Sequence, residues 1–285
     1  MEDELLNRIR KDLEKSGLSS ELEACSIFEE NGWRVTSGGS YFDKDEQKSR
    51  EIDIVAYKAN SITSKGNEDE YLAFNDFNIL AEVKKSEKPW VVFKKNDKYK
   101  RVLDWMEITD MNFLNSQGYY LSLFLEKESN FFEKEEHISG IHEAFKNPND
   151  HSRWYSACMS ALKASLDKYE SQINELGEEF RKSHTMIDIY YPLIILNGKL
   201  VSATLNKNNG IDLEYVNNVV MNFEYGTKYY EHSPYKVRIV TLEGLDLFLK
   251  RIHNQQIDIN KAIIHLENFN KNNLEMYDNE YVELN

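Results

Sequence analysis

Two apolar runs interrupted by charge hold the residues best suited to chemistry: Arg50-Glu51-Ile52-Asp53-Ile54-Val55-Ala56-Tyr57 and Asn78-Ile79-Leu80-Ala81-Glu82-Val83-Lys84-Lys85. Side chains alternate between the faces of a strand, so Glu82 and Lys84 share one face while Ile79, Ala81 and Val83 share the other. Asp53 lies among Ile52, Ile54, Val55 and Ala56, where a carboxylate without a partner is costly to bury. An Asp on one strand and Glu-x-Lys on the next can converge on a divalent cation and a water, and a centre of that kind hydrolyses phosphodiesters. Asp53 and Glu82 are therefore candidate catalytic groups and metal ligands, with the Val83 carbonyl as a further ligand. Lys84 would orient the attacking water and offset charge growing in the transition state. Hard oxygen donors suit Mg²⁺, with Mn²⁺ as a substitute.

A plainer reading accompanies each of these residues. Glu-x-Lys on a strand is a common surface pair, and Asp53 could pair with Arg50 or Lys84 instead of a metal. Glu23, the candidate helix acid, follows Ser20 at the capping-box spacing and could simply satisfy backbone amides at a helix start, with Glu21 as a substitute for it at the site. Four features in sequence order weigh against coincidence: a helix acid, a strand acid, a Glu-x-Lys strand, and a basic run. That run, Lys84 to Arg101, holds eight basic residues against Glu87 and Asp97, and Lys85, Lys88, Lys94 and Lys95 are candidates for contacting nucleic acid. A solvated, salt-paired loop is the alternative for such a block.

The elements that would position these groups follow from periodicity. Residues 3–15 and 20–31 read as helices, 33–36 as a short strand, and Ser37-Gly38-Gly39-Ser40 as a loop in which Ser40 and Tyr41 could touch substrate. Strands follow at 51–57 and 77–84, separated by a polar turn. Residues 86–150 read as an insertion, with apolar Trp90 to Phe93 and a candidate helix at 99–108. A long helical pattern covers 152–181, then a β-rich section holds strands at 186–196, 199–205, 212–225 and 236–241, with a hairpin at Asn197-Gly198. Helices at 243–254 and 258–270 complete the chain. His137, His142 and His151 match no ordinary zinc spacing, and Trp90, Trp105 and Trp154 read as core residues before stacking platforms.

The chain has 285 residues, 41% of them hydrophobic, enough for a substantial core. No apolar run approaches the ~20 residues that span a bilayer, and no signal-like segment opens the sequence, so a cytoplasmic protein without membrane contact is expected. Only Cys25 and Cys158 occur, both in helical apolar patterns, which argues against a disulfide framework. A formal net charge of −14 excludes a generic nucleic-acid coat, because neutralising phosphates takes excess Lys and Arg.

Asp53 in Glu-Ile-Asp-Ile-Val-Ala, Glu82-Val83-Lys84, and Glu23 in Leu-Glu-Ala-Cys-Ser-Ile-Phe-Glu-Glu-Asn-Gly-Trp resemble the motifs of the restriction-endonuclease-like PD-(D/E)xK nuclease superfamily. The match spans roughly residues 19–93, and beyond it 152–181 and 186–196 match by element order. Ile52 stands where the motif has Pro. The resemblance implies an α/β fold: one elaborated domain over 1–285, with a mixed central sheet flanked by helices, an insertion and a β-rich C-terminal elaboration. It implies a Mg²⁺-dependent endonuclease acting on nucleic acid, DNA before RNA, by in-line water attack leaving a 5′-phosphate, with roles in restriction or phage defence. In that scheme Glu23 reaches a metal-bound water or a second ion. Many members of that superfamily cut both strands as dimers, so a homodimer is expected, and an activating protein partner is a further expectation. The competing class is a catalytically silent nuclease fold used for binding or assembly, which the acidic surface favours.

Overall fold

The computed structural model describes residues 2–94, 108–115, 120–121, 136–147, 152–269 and 271–278. Two helices open the chain, α1 (Glu2–Lys15) and α2 (Leu18–Glu30). An antiparallel meander follows, made of β1 (Arg34–Asp43), β2 (Lys48–Lys58) and β4 (Asn67–Lys85), with β3 (Asn60–Ser64) doubling back on the first part of β4. The chain then passes through β5 (Trp90–Lys94), β6 (Ile108–Asn112) and β7 (His137–Glu143). Helices α3 (Arg153–Glu175) and α4 (Glu178–Ser183) lead into β8 (Thr185–Asn197), which runs parallel to β4. Strands β9 (Leu200–Leu205), β10 (Ile211–Tyr215), β11 (Asn218–Tyr225) and β12 (Ser233–Thr241), helix α5 (Leu245–Leu266) and β13 (Leu274–Asp278) complete it.

The described strands join one mixed sheet, ordered β1-β2-β4-β8-β12-β11-β7-β5-β9-β10, with β13 on β3 and β6 on β8. Helices cover both faces of its centre. Ala24 and Phe28 of α2 and Phe248, Leu249 and Ile252 of α5 pack on Ile79, Ala81, Val83, Leu193 and Ile195. Ala157, Cys158 and Leu162 of α3 pack on the opposite face, with Leu80, Tyr190, Ile194 and Leu196. No helix among the described residues is long and apolar enough to cross a membrane.

Several elements depart from the sequence reading. Ser37-Gly38-Gly39-Ser40 is not a loop but part of β1, because β2 pairs with it on both sides of Gly38, Ser37 with Ile54, Gly39 with Ile52 and Ser40 with Glu51. The close approach needs glycine: a Cβ at Gly39 would lie 2.5 Å from Val55 Cγ2. The stretch read as a surface turn after β2 contains β3, and the strand expected at 212–225 divides into β10 and β11. Residues 152–181 break after Glu175 into α3 and α4. The two expected C-terminal helices are one, α5, since Gln256, in the gap expected between them, and Asn260 are buried and bonded: Gln256 Nε2 donates to the Asn75 carbonyl at 2.8 Å, and Asn75 Nδ2 to Asn260 Oδ1 at 3.1 Å. The supposed insertion is woven into the sheet through β5, β6 and β7. Of the candidate helix at 99–108, Ile108 opens β6 instead, and the rest of it, with Lys95, Trp105 and His151, lies outside the described residues.

A buried charge cluster docks α3 on the β1–β2 hairpin. Lys163 Nζ donates to both oxygens of Asp43 at 2.9 Å and lies 3.0 Å from Asp45 Oδ2, with Lys163 and Asp43 under a tenth exposed. Lys163→Met leaves these carboxylates without their ammonium; a loss of about 3–5 kcal/mol in urea unfolding is expected.

Candidate active site

The β2–β4 ladder ends at Ile54↔Ala81, and one residue further on Asp53 and Glu82 face each other across the parting strands. The parting is local and sharp. Ile52 and Ile54, two residues apart, would share a face of a regular strand, yet Ile52 joins the core under α3 and Ile54 the core under α2 and α5. On the other side, β1 pairs Ser37 with Ile54 and Gly39 with Ile52 but leaves out Gly38, which takes φ +71° across from Asp53. A left-handed backbone suits glycine, and no Cβ contact hems this position in. The break would strand the Val83 N–H. Asp53 takes it over: Val83 N donates to Asp53 Oδ2 at 2.7 Å.

Lys84 closes the cluster. Its Nζ lies 3.5 Å from Asp53 Oδ2 and forms an ion pair with Glu82. The alternation expected for β4 therefore holds, with Ile79, Ala81 and Val83 in the opposite core. Glu82 is 7% exposed, while the side chains of Asp53 and Lys84 are 27% and 26% exposed, so the cluster opens to solvent on one side. Burial raises the Glu82 carboxyl above the usual glutamate value; Lys84 pulls against this, Asp53 adds to it, and a hydrogen bond from Ser160 of α3 steadies the charged form. Burial works against the Lys84 ammonium, but Glu82 and Asp53 outweigh it and hold the lysine above its usual value.

Glu21, not Glu23, is the helix acid whose charge reaches this cluster. Burial raises its carboxyl, Asp53 raises it further and Lys84 lowers it, whereas Glu23 is exposed. The helix begins at Leu18, earlier than the capping-box reading requires, and Ser20 is buried, accepting from Asn197 Nδ2 at 2.7 Å rather than capping α2. Glu21 sits on the stripe of Ala24 and Phe28 (spacings of three and four), a signal the sequence carried. Ser160 had no such signal, being brought in by the crossover helix. Tyr41 is buried near Glu82 and Ser160, while Ser40 is exposed.

Among the described basic residues beyond the site, Lys94 and Lys88 are engaged with the protein itself. Lys94 Nζ lies 2.9 Å from Glu136 Oε1 and 3.3 Å from Glu214 Oε2, and Lys88 Nζ donates to the Phe145 carbonyl at 2.7 Å. Lys85 is exposed next to the site. Trp90 is fully buried, as a core residue would be.

Among the described residues no three His, Cys, Asp or Glu side chains gather as a metal-holding group. The cluster instead offers two carboxylates, and Mg²⁺ commonly takes one or two together with waters and phosphate. One ammonium is shared between them, so two carboxylates stand against a single positive charge. Comparison of the chain with protein-family models, curated proteins and solved structures found no match.

Lys84→Met would leave Asp53 and the buried Glu82 facing each other, costing about 1–3 kcal/mol of stability. A carboxyl whose folded pKa is raised favours the native state while protonated, and that contribution fades as pH climbs above the ordinary glutamate value of 4.5. The loss is therefore expected to be larger at about pH 8 than at about pH 5, read from paired denaturation curves.

Proposed function

We propose that the protein is a metal-dependent endonuclease of the restriction-endonuclease-like class, hydrolysing phosphodiester bonds of nucleic acid, DNA before RNA. The convergence of Asp53, Glu82 and Lys84 where β2 leaves β4 is the observation that carries this reading. The arrangement of α2, the β1–β2–β4 meander, the crossover helix α3 and the parallel strand β8 supports it, being the order the resemblance requires.

Asp53 and Glu82 would hold Mg²⁺ or Mn²⁺, with the Val83 carbonyl as a candidate third donor. Bound there, the ion would polarise the scissile phosphate and make its water a better nucleophile. Lys84 shares the face of Glu82, and its ammonium would steady the water and the charge building on the phosphoryl oxygens. Val83 N–H and Ser160 would keep the two carboxylates aimed, so that little reorganisation is needed as charge develops. Glu21 would add a third carboxylate beside Asp53. A role in restriction or phage defence, assembly as a homodimer and activation by a protein partner belong to the same proposal.

One observation favours a silent binding or assembly subunit instead: Lys88 and Lys94 are spent on intramolecular partners, in a chain of net charge −14. The two readings separate on supercoiled plasmid with Mg²⁺ or Mn²⁺. Wild type is expected to nick it, and Lys84→Ala and Glu82→Gln to slow nicking by about 100-fold or more while retaining cooperative melts. Equal nicking by wild type and Lys84→Ala, or none by wild type together with no Mg²⁺ heat dependent on Asp53 in calorimetry, overturns the enzyme reading. Metal affinity should rise with pH, since the raised carboxyl of Glu82 must lose its proton to ligate.

A further inference from the structure

The face of β4 beneath α3 carries a second polar cluster toward the other end of the strand. Asp76 precedes Glu82 by six residues, about 20 Å along an extended strand. There a cavity of about 510 Å³ lies beneath the C-terminal half of α3, lined also by Phe180 of α4 and by residues of β1, β2, β4 and β8.

Its floor is acidic across neighbouring strands. Asp76 of β4 is the register partner of Asp188 of β8, which pairs in turn with Asp110 of β6. Asp110 has its own cation, the Arg181 guanidinium, which donates to both carboxylate oxygens. Asp76 and Asp188 are met by neutral donors: the Tyr57 hydroxyl reaches Asp76 Oδ2 at 2.8 Å, and Gln172 Nε2 reaches Asp188 Oδ2 at 3.0 Å. The Oδ1 atoms of Asp76 and Asp188 have no hydrogen-bond partner, although Asp188 is 0% exposed. Burial holds both carboxyls well above the ordinary aspartate range, and for Asp188 the charges of Asp76 and Asp110 add to the rise.

The walls are apolar and partly aromatic. Phe74 and Phe180 line the cavity with ring centroids 5.6 Å apart, joined by Leu176 and Met186. Arg34 and Lys168 bring two positive charges to the lining and Glu175 one negative, so one wall cation is left over against the two aspartates of the floor.

We propose that this cavity binds a small organic cation, an amine, amidine or guanidine on an apolar body, whose N–H groups meet Asp76 and Asp188 and whose body packs against Phe74 and Phe180. An unpartnered buried acceptor costs the fold its full desolvation penalty, and a donor supplied by a ligand recovers it. Water could donate to these oxygens, but only a cation also lifts the cost of ionising two adjacent buried carboxyls. Aromatic faces add attraction for the same kind of charge. A volume of this size suits a ligand of many heavy atoms. The inference stands on its own observations and is independent of the hydrolytic reading.

The test is calorimetric titration of the full chain with benzamidine, agmatine and spermidine, and with benzamide as the neutral isostere of benzamidine. At least one cation is expected to bind saturably, with benzamide about ten-fold or more weaker than benzamidine. Asp188→Asn, near in shape to a protonated aspartate, should weaken binding by about ten-fold with the melt retained. Phe180→Ala keeps both carboxyls, removes one wall and should weaken binding several-fold; it carries the test should Asp188→Asn fail to fold. Failure of all three cations to saturate, benzamide binding as tightly as benzamidine, or wild-type affinity in the folded variants overturns the proposal.

Discussion

The parallel pairing of β4 with β8, from Ala73↔Thr185 to Lys85↔Asn197, is the constraint on which the arrangement depends. Parallel neighbours need a crossover, and here α3 forms part of it, lying against one face of the pair while α2 and α5 take the other. Both faces being covered, strand alternation decides which core each residue enters. Odd positions of β4 from Phe77 to Val83 are apolar and meet α2 and α5. Even positions meet α3, and among them Asp76, Asn78, Glu82 and Lys84 are polar. Leu80, with Tyr190, Ile194 and Leu196, supplies the apolar middle that lets α3 seal at its centre and leaves polar groups toward either end.

The break in β2 at Asp53 turns one of those ends into a cluster. Had β2 stayed paired, the β4 backbone would have been satisfied by another strand. Because it departs, Asp53 satisfies Val83 with its own carboxylate, and that bond fixes Asp53 against Lys84. Gly38 gives β1 the left-handed residue that accompanies the break, so the feature is built by two strands rather than one. The result holds three charges within a few ångströms, with Glu82 desolvated and Lys84 offsetting it. Holding so compact a set of charges in a partly buried place is costly for the fold unless they pair with one another.

Away from the cluster, the acidic surplus is managed by short-range pairing. Lys163 serves Asp43 and Asp45, Arg181 serves Asp110, and Lys94 serves Glu136 and Glu214. Among the described residues of the basic run, Lys88 is likewise engaged within the chain, through the Phe145 carbonyl. Lys85, the residue after Lys84, is exposed.

Local chemistry was legible in the residues themselves. The alternation of Ile79 to Lys84 announced a strand with one charged and one apolar face, and Asp53 within apolar neighbours announced a carboxylate with a partner, because strand periodicity and the cost of burying charge act over a few residues. Long-range partnership was not legible. Ser160 follows from where α3 crosses, and the strand character of Ser37 to Ser40 from the presence of β2. The gap expected between helices at 243–254 and 258–270 closes because Asn75 answers the hydrogen bonds of Gln256 and Asn260. Residue types and spacing by themselves determined which groups could act together; tertiary structure alone decided which ones meet, since burial and hydrogen bonding between distant segments override local preference whenever the partners are found.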